Sequence, residues 1–186
     1  MFWSKILRFF SEDIAMDLGT ANTLLYTRDG GIIVNEPSVV AIDTRNNEVL
    51  AVGSEAKRAR GRTPKRIKTI RPMKSGVIAD FDTTSRMIVY FVNKAIGRSH
   101  LVKPSLVISV PTGITGVEKK AVIDAAATAG AGRVSLIEEP MAAAIGADLP
   151  VTEPVGTLIA DIGGGTSEVA VITMSAITVS QSIRIA

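Results

Sequence analysis

Leu158-Ile-Ala-Asp161-Ile-Gly163-Gly164-Gly165-Thr166-Ser167-Glu168-Val-Ala-Val-Ile172 is the stretch whose reading decides the fold. An apolar run ends in Asp161, three consecutive glycines follow, and after Thr166, Ser167 and Glu168 a second alternating apolar run begins. Two antiparallel strands joined by a tight glycine turn account for the pattern. Glycines let the backbone approach an anion closely and aim successive N–H groups at it, so the turn is a candidate phosphate cradle. Asp161, at the strand end beside it, is placed to hold a divalent cation through water. A glycine turn with no ligand is the plainer alternative.

The same grammar occurs a second time. Ile14-Ala-Met-Asp17-Leu-Gly19-Thr20-Ala21-Asn22-Thr-Leu-Leu25 repeats the apolar run, the aspartate, the turn and the second apolar run. Two such hairpins far apart in the chain suggest a duplicated architecture with one hairpin per half. Facing each other across a cleft, they would clamp a polyphosphate and its metal from both sides. Neither is a P-loop, since no lysine-serine or lysine-threonine pair follows the glycines, and neither is the dinucleotide fingerprint.

A chain of 186 residues holds one domain with a sizeable core, or one domain and part of another. Its 46% apolar and 21% charged residues are those of a folded globular protein rather than a disordered one. The absence of cysteine excludes a disulfide framework and a thiolate metal site, and is compatible with a reducing cytosol. No apolar run approaches the roughly 18 residues that span a bilayer, so a soluble or peripheral protein is expected.

The net charge of +3 conceals an asymmetry, because nine basic residues and no acidic one lie between Lys57 and Lys74. Such a cluster suits nucleic acid, a membrane surface or an acidic protein face. A solvated surface or a contact to a neighbouring copy explains it as well, and no aromatic residues interleave to stack on bases.

At the other extreme of the chain, a helix over residues 1–12 would gather Phe2, Trp3, Ile6, Leu7 and Phe10 on one face and Ser4, Lys5, Arg8 and Ser11 opposite. That distribution describes a helix lying in a membrane interface. The alternative is a terminal helix packed on its own domain. A secretory signal is not expected, since Lys5 and Arg8 interrupt the apolar stretch.

Short strands are expected over Gly31–Asn35, Ser38–Asp43 and Glu48–Val52, with Pro37 as a break, then a short helix over Ser54–Arg60. Together with the basic stretch they read as a small α+β insertion over 35–74. Asp82 is the expected N-cap of a helix over 83–97 that buries Met87, Ile88, Phe91, Val92 and Ala95. A strand over Ser105–Val110 precedes a helix opened by the capping box of Thr115 and Glu118 and stopped by Gly130. The next strand, Val134–Glu138, completes a right-handed βαβ unit, so the sheet is at least partly parallel. His100, the only histidine, sits in a polar loop and is expected at the surface. Glu139, before Pro140, is expected at or near the cap of a helix over Met141–Ala147. It either satisfies the free N–H groups there or, between the two hairpins, orients an attacking water.

Asp17-Leu-Gly-Thr-Ala-Asn22, Glu138-Glu-Pro-Met-Ala-Ala-Ala144 and Asp161-Ile-Gly-Gly-Gly-Thr166 together resemble the actin, chaperone and sugar-kinase superfamily of ATPases. Asn35-Glu-Pro-Ser-Val-Val-Ala41, Gly61-Arg-Thr-Pro64 and Ile70-Arg-Pro-Met-Lys-Ser-Gly-Val-Ile-Ala-Asp80 narrow the resemblance to the MreB family of bacterial actins, over essentially all 186 residues. The resemblance implies an α/β, actin-like (ribonuclease H-like) fold, a mixed sheet flanked by helices. It implies a membrane helix over 1–12, a first core domain (IA) over 13–34 and 75–148, the insertion (IB) over 35–74, and the first strands of a second, incomplete core domain (IIA) over 149–186.

The function implied is that of a slow ATPase. It would form membrane-associated filaments on the cytoplasmic side of the inner membrane and organise cell-wall elongation and rod shape. Its partners would be further copies of itself, inner-membrane lipid and cell-wall elongation proteins, with no nucleic acid. By motif match, Gly19, Thr20, Ala21 and Asn22 would form one phosphate loop and Gly163, Gly164, Gly165 and Thr166 the other. Asp17 and Asp161 would hold Mg2+ through water, while Glu139 and the Thr166 hydroxyl would position the hydrolytic water on ATP.

Two departures qualify this. Ser167 stands where relatives often carry a second threonine, and the chain stops at Ala186 where the family continues, so these 186 residues alone are expected to be inactive. A plasmid-segregating actin or a chaperone-type ATPase is the alternative within the superfamily, and a sugar kinase lies further off. The cationic amphipathic terminus suits none of the three.

Overall fold

The computed structural model describes residues 13–59, 66–96 and 103–184. Residues 1–12 with Phe2, Trp3, Ile6, Leu7 and Phe10, the Gly61-Arg-Thr-Pro64 motif and His100 lie outside the described residues.

Five strands make the principal sheet: β1 (Asp13–Leu18), β2 (Asn22–Thr27), β3 (Gly31–Pro37), β9 (Ser105–Val110) and β10 (Arg133–Glu138), in the order β10-β9-β1-β2-β3. β10, β9 and β1 run parallel, whereas β2 and β3 are antiparallel additions made through hairpins. Strict alternation along β1 turns Ile14, Met16 and Leu18 inward, beside Leu25, Val34, Leu106 and Ile108. Helices α2 (Phe81–Ile96) and α3 (Gly116–Thr128) cover that face with Met87, Ile88, Phe91, Val122 and Ala125. Each large apolar side chain buried there contributes about 1.5–3 kcal/mol. α3 is the crossover that two adjacent parallel strands require, and its Thr115–Glu118 capping box forms as expected.

Smaller elements hang from this sheet. β4 (Val40–Asp43), β5 (Glu48–Val52) and β6 (Ile67–Ile70) form a three-stranded sheet in the order β5-β4-β6, on which α1 (Ser54–Ala59) closes a small core of Val39, Ala41 and Ala56. β7 (Met73–Lys74) and β8 (Val77–Ile78) form a short hairpin leading back to α2. After α4 (Glu139–Gly146), β11 (Thr157–Ile162), β12 (Ser167–Thr173) and β13 (Ala176–Ile183) make an antiparallel sheet in chain order. Glu168, Ala170 and Ile172 face inward from it, while Leu158 and Ile162 remain 67% and 82% exposed.

Local details differ from the sequence reading. Pro37 does not break the chain: it is the last residue of β3, paired with Asn22, a strand end where a missing N–H does little harm. Ser38 lies between strands, and β4 starts only at Val40. The cap of α2 is Asp80, not Asp82, because Asp80 Oδ1 accepts the Thr83 N–H at 3.0 Å and the helix begins at Phe81. Asp82 instead sits in the first turn, where its charge favours the helix dipole. α4 starts earlier than expected, with Glu138 as cap, Glu139 as first residue and Pro140 as second. Among the described residues no helix is long and apolar enough to cross a membrane.

Candidate functional site

β1 and β2 pair from Ile14–Thr27 up to Leu18–Thr23, which leaves Gly19, Thr20 and Ala21 as the turn ahead of Asn22. A side chain on Gly19 would put its Cβ 2.7 Å from the Asn22 carbonyl oxygen, so the turn closes only around glycine. Buried hydroxyls hold it from behind. Ser38 Oγ donates to Gly19 O at 2.6 Å and hydrogen-bonds Thr23 Oγ1 at 2.9 Å, while the Ser38 N–H donates to Ala21 O at 3.0 Å. Because Ser38 gives its proton to Gly19, Thr23 is the donor to Ser38.

The second turn is built alike. β11 and β12 pair up to Ile162–Ser167, and the Gly163 N–H donates to Thr166 O at 2.8 Å across the turn. The two turns meet. A Cβ on Gly164 would lie 2.5 Å from Ala21 Cβ, and one on Gly165 would collide with the Thr20 side chain. A third turn completes the arrangement, since the Gly76 N–H donates to Thr20 Oγ1 at 2.9 Å.

Carboxyl groups surround this junction. Asp17 is opposite Ser109 in the β1–β9 register, and Ser109 Oγ donates to Asp17 Oδ1 at 3.0 Å. Burial raises the Asp17 carboxyl above its usual value, and the charge of Asp161 adds to the rise while the Ser109 bond opposes it. Glu139 is pushed up to about 8, first by burial and then by the charges of Asp17, Glu168 and Asp161. The Thr166 hydroxyl reaches Glu139 Oε2 at 3.5 Å, a long contact that offsets little of this. The ion pairs formed among the described residues involve Asp43, Glu36, Asp124 and Glu118, and none reaches these four carboxyl groups.

The structure therefore brings Asp17, Glu139, Asp161 and Thr166 to one place, beside Gly19, Thr20, Ala21, Asn22, Gly163, Gly164 and Gly165. Carboxyl groups with no ion pair among the described residues, set around converging backbone turns, would suit a hard divalent cation with an anion beside it. Among the described residues no three acidic or histidine side chains converge tightly enough to ligate an ion directly. A cation here would be held through water.

Sequence reasoning passed over Ser109, Gly76, Ser38 and Glu168 as parts of this site. The signal for Glu168 was available, since it occupies an inward position of an alternating strand whose next inward residues are Ala170 and Ile172. Ser109 and Gly76 carried none, because only strand register and the packing of separate turns bring them to the site.

The MreB/Mbl protein family model matches residues 11–186. The cell shape-determining protein MreB of Pasteurella multocida is 52% identical over 191 residues, covering 100% of this chain and 54% of that protein. The cell shape-determining protein Mbl of Bacillus subtilis is 50% identical over 177 residues, covering 95% of this chain and 53% of its own. The chain thus spans about half the length of the curated relatives it matches. Among solved structures, MreB5 of Spiroplasma citri bound to ADP superposes with a TM-score of 0.85 at 35% identity, covering 95% of this chain and 53% of that one. The same protein bound to AMPPNP gives the same values. A MamK double helical filament superposes with a TM-score of 0.75 at 20% identity, over 94% of this chain and 54% of that one, a likeness of fold. Motifs, mixed sheet and relatives agree: the chain belongs to the MreB/Mbl family and has an actin-like fold.

Proposed function

We propose that this protein binds ATP with Mg2+ between its two glycine turns, hydrolyses it slowly, and assembles into filaments. The filaments would lie on the cytoplasmic side of the inner membrane and organise cell-wall elongation and rod shape. The observation that carries the reading is the direct contact of Gly164 and Gly165 with Ala21 and Thr20, ringed by the carboxyl groups of Asp17, Glu139 and Asp161. The nucleotides held by MreB5 of Spiroplasma citri and the cell-shape names of the curated relatives support it. The same names favour it over a plasmid-segregating actin or a chaperone-type ATPase. The membrane part rests on the amphipathic residues 1–12 alone.

In this reading the N–H groups of Gly19–Asn22 and of Gly164–Thr166 would cradle the phosphates, the Gly163 N–H being spent on the turn's own bond to Thr166, and Asp17 and Asp161 would orient water around the ion. Bound Mg2+ supplies charge stabilisation for the transferring phosphoryl group. With no cation bound, Glu139 titrates at about 8 and keeps its proton at neutral pH; with a cation held beside Asp17 and Asp161 that value would fall, and the carboxylate would be free to take a proton from water. The Thr166 hydroxyl, 3.5 Å from Glu139, would help that carboxyl group position the hydrolytic water. Positioning without a strong electrophile from the protein suits slow turnover.

The test is titration of Mg-ATP into this chain and into a chimera in which it replaces the matching residues of Escherichia coli MreB. We expect the chimera to bind and hydrolyse ATP, Asp161→Ala to abolish the magnesium dependence, and Glu139→Ala to stop phosphate release. Unchanged single-turnover hydrolysis in Glu139→Ala would remove the catalytic assignment. Binding that survives Gly164→Val would remove the site. Flattened filaments on lipid vesicles, lost on deletion of residues 1–12, are expected by electron microscopy.

A further inference from the structure

Glu168 is 1% exposed, on the same inward side of β12 as Ala170 and Ile172. A carboxyl group buried so deeply is costly unless it is hydrogen-bonded. Thr112, in the segment between β9 and α3, supplies the bonds. Its N–H donates to Oε1 and Oε2 of Glu168 at 3.0 and 3.2 Å, and its hydroxyl donates to Oε1 at 3.2 Å. No ion pair among the described residues includes Glu168.

From this pair two routes run to the same place. Along the chain, Glu168 leads through Ser167 and the buried Thr166 to Gly165, which abuts Thr20. Through space, Thr112 follows Pro111, and a Cβ on Gly76 would meet both Pro111 Cγ and Thr166 Cγ2 at 2.7 Å. Gly76, at φ +75, in turn donates its N–H to the Thr20 hydroxyl. The contacts form a closed circuit with one glycine turn on each side and the Glu168–Thr112 pair at its base.

We propose that Glu168 is a positioning residue: by binding Thr112 it fixes β12 to the β9–α3 segment and so sets the spacing between the two glycine turns. An apolar residue at this inward position would fill the core equally well but would leave that spacing unset. The importance of the spacing for nucleotide rests on the function proposed above, whereas the clamp is legible without any nucleotide.

Residue-level amide hydrogen exchange of the chain, with no nucleotide present, tests it. In Glu168→Ala the amides of Thr112 and Gly76 should exchange about tenfold faster or more, the size expected for losing hydrogen bonds to a carboxyl group. The amides of Ile108 in β9 and Val122 in α3 should keep their wild-type rates, which shows the fold intact. Thr112→Ser, which retains both donors, should leave Gly76 at its wild-type rate, whereas Thr112→Val, which loses the hydroxyl bond and keeps those of the N–H, should raise that rate by less than Glu168→Ala does. Acceleration confined to Thr112, with Gly76 unchanged, would overturn the proposal by making the pair a local contact. Should Glu168→Ala fail to fold, Glu168→Leu decides: it keeps the bulk and removes both acceptors, and an unchanged Gly76 rate in that variant also overturns the proposal.

Discussion

Gly164 and Ala21 stand in van der Waals contact across the two turns, so that a methyl group on Gly164 would come within 2.5 Å of Ala21 Cβ. Residues from opposite ends of the chain are thereby packed as closely as neighbours in one hairpin. Gly164→Ala should cost about 1–3 kcal/mol, the usual penalty of overpacking, read as a lowered Tm. Ala21→Gly in the same chain should recover most of that loss, because it removes the opposing methyl. Equal stability of Gly164→Ala and wild type would mean that the turns do not meet in solution.

Glu139 gives a pH dependence of definite sign. Its carboxyl group titrates at about 8 in the folded chain against an ordinary 4.5. Below the ordinary value both folded and unfolded chains are protonated, so nothing changes there. Between 4.5 and about 8 the unfolded chain releases a proton that the folded chain retains, and stability falls as pH rises through that window. Glu139→Gln should flatten the decline of Tm between pH 5 and 8. Parallel profiles for the two proteins would contradict the environment described for Glu139.

Glu118 behaves in the opposite sense. Arg184 hydrogen-bonds it at 3.0 and 3.3 Å, and with the Thr115 N–H this holds its carboxyl group at about 2. The contribution is present above the ordinary value of 4.5 and is lost as pH falls towards 2. Both partners are partly exposed, so Arg184→Ala should cost about 1 kcal/mol or less at neutral pH. The difference should shrink in high salt and below pH 3, which acid and thermal unfolding at two ionic strengths would show.

Ser38 offers a test of the first turn alone. Ser38→Ala leaves the Thr23 hydroxyl and the Gly19 carbonyl without their buried partner, at about 1–3 kcal/mol. Thr23→Val should cost less, since the Ser38 bond to Gly19 survives it. The double variant should cost less than the two losses added, because both act on one network. Strict additivity in denaturant unfolding would show that the two hydroxyls act independently.

Much of this protein is written locally. Both glycine hairpins, the strand Ser105–Val110, the capping box of α3 and its arrest at Gly130 follow from alternation, spacing and turn chemistry within a few residues. Such features form wherever the chain places them, because their hydrogen bonds and burial pattern involve near neighbours. The choice of Asp80 over Asp82 as cap lay just beyond that reach, since both aspartates satisfy the same local rule and the start of the helix separates them.

What only tertiary structure decided is the pairing of distant groups: Asp17 with Ser109, Glu168 with Thr112, Gly164 with Ala21. Strand register and the seating of one sheet against another are set by burying many apolar side chains at once, among them Ile14, Leu106, Ile108 and Ile172. No short window of residues contains that condition. The sequence by itself determined two glycine turns, and the packing of two sheets determined that they meet each other.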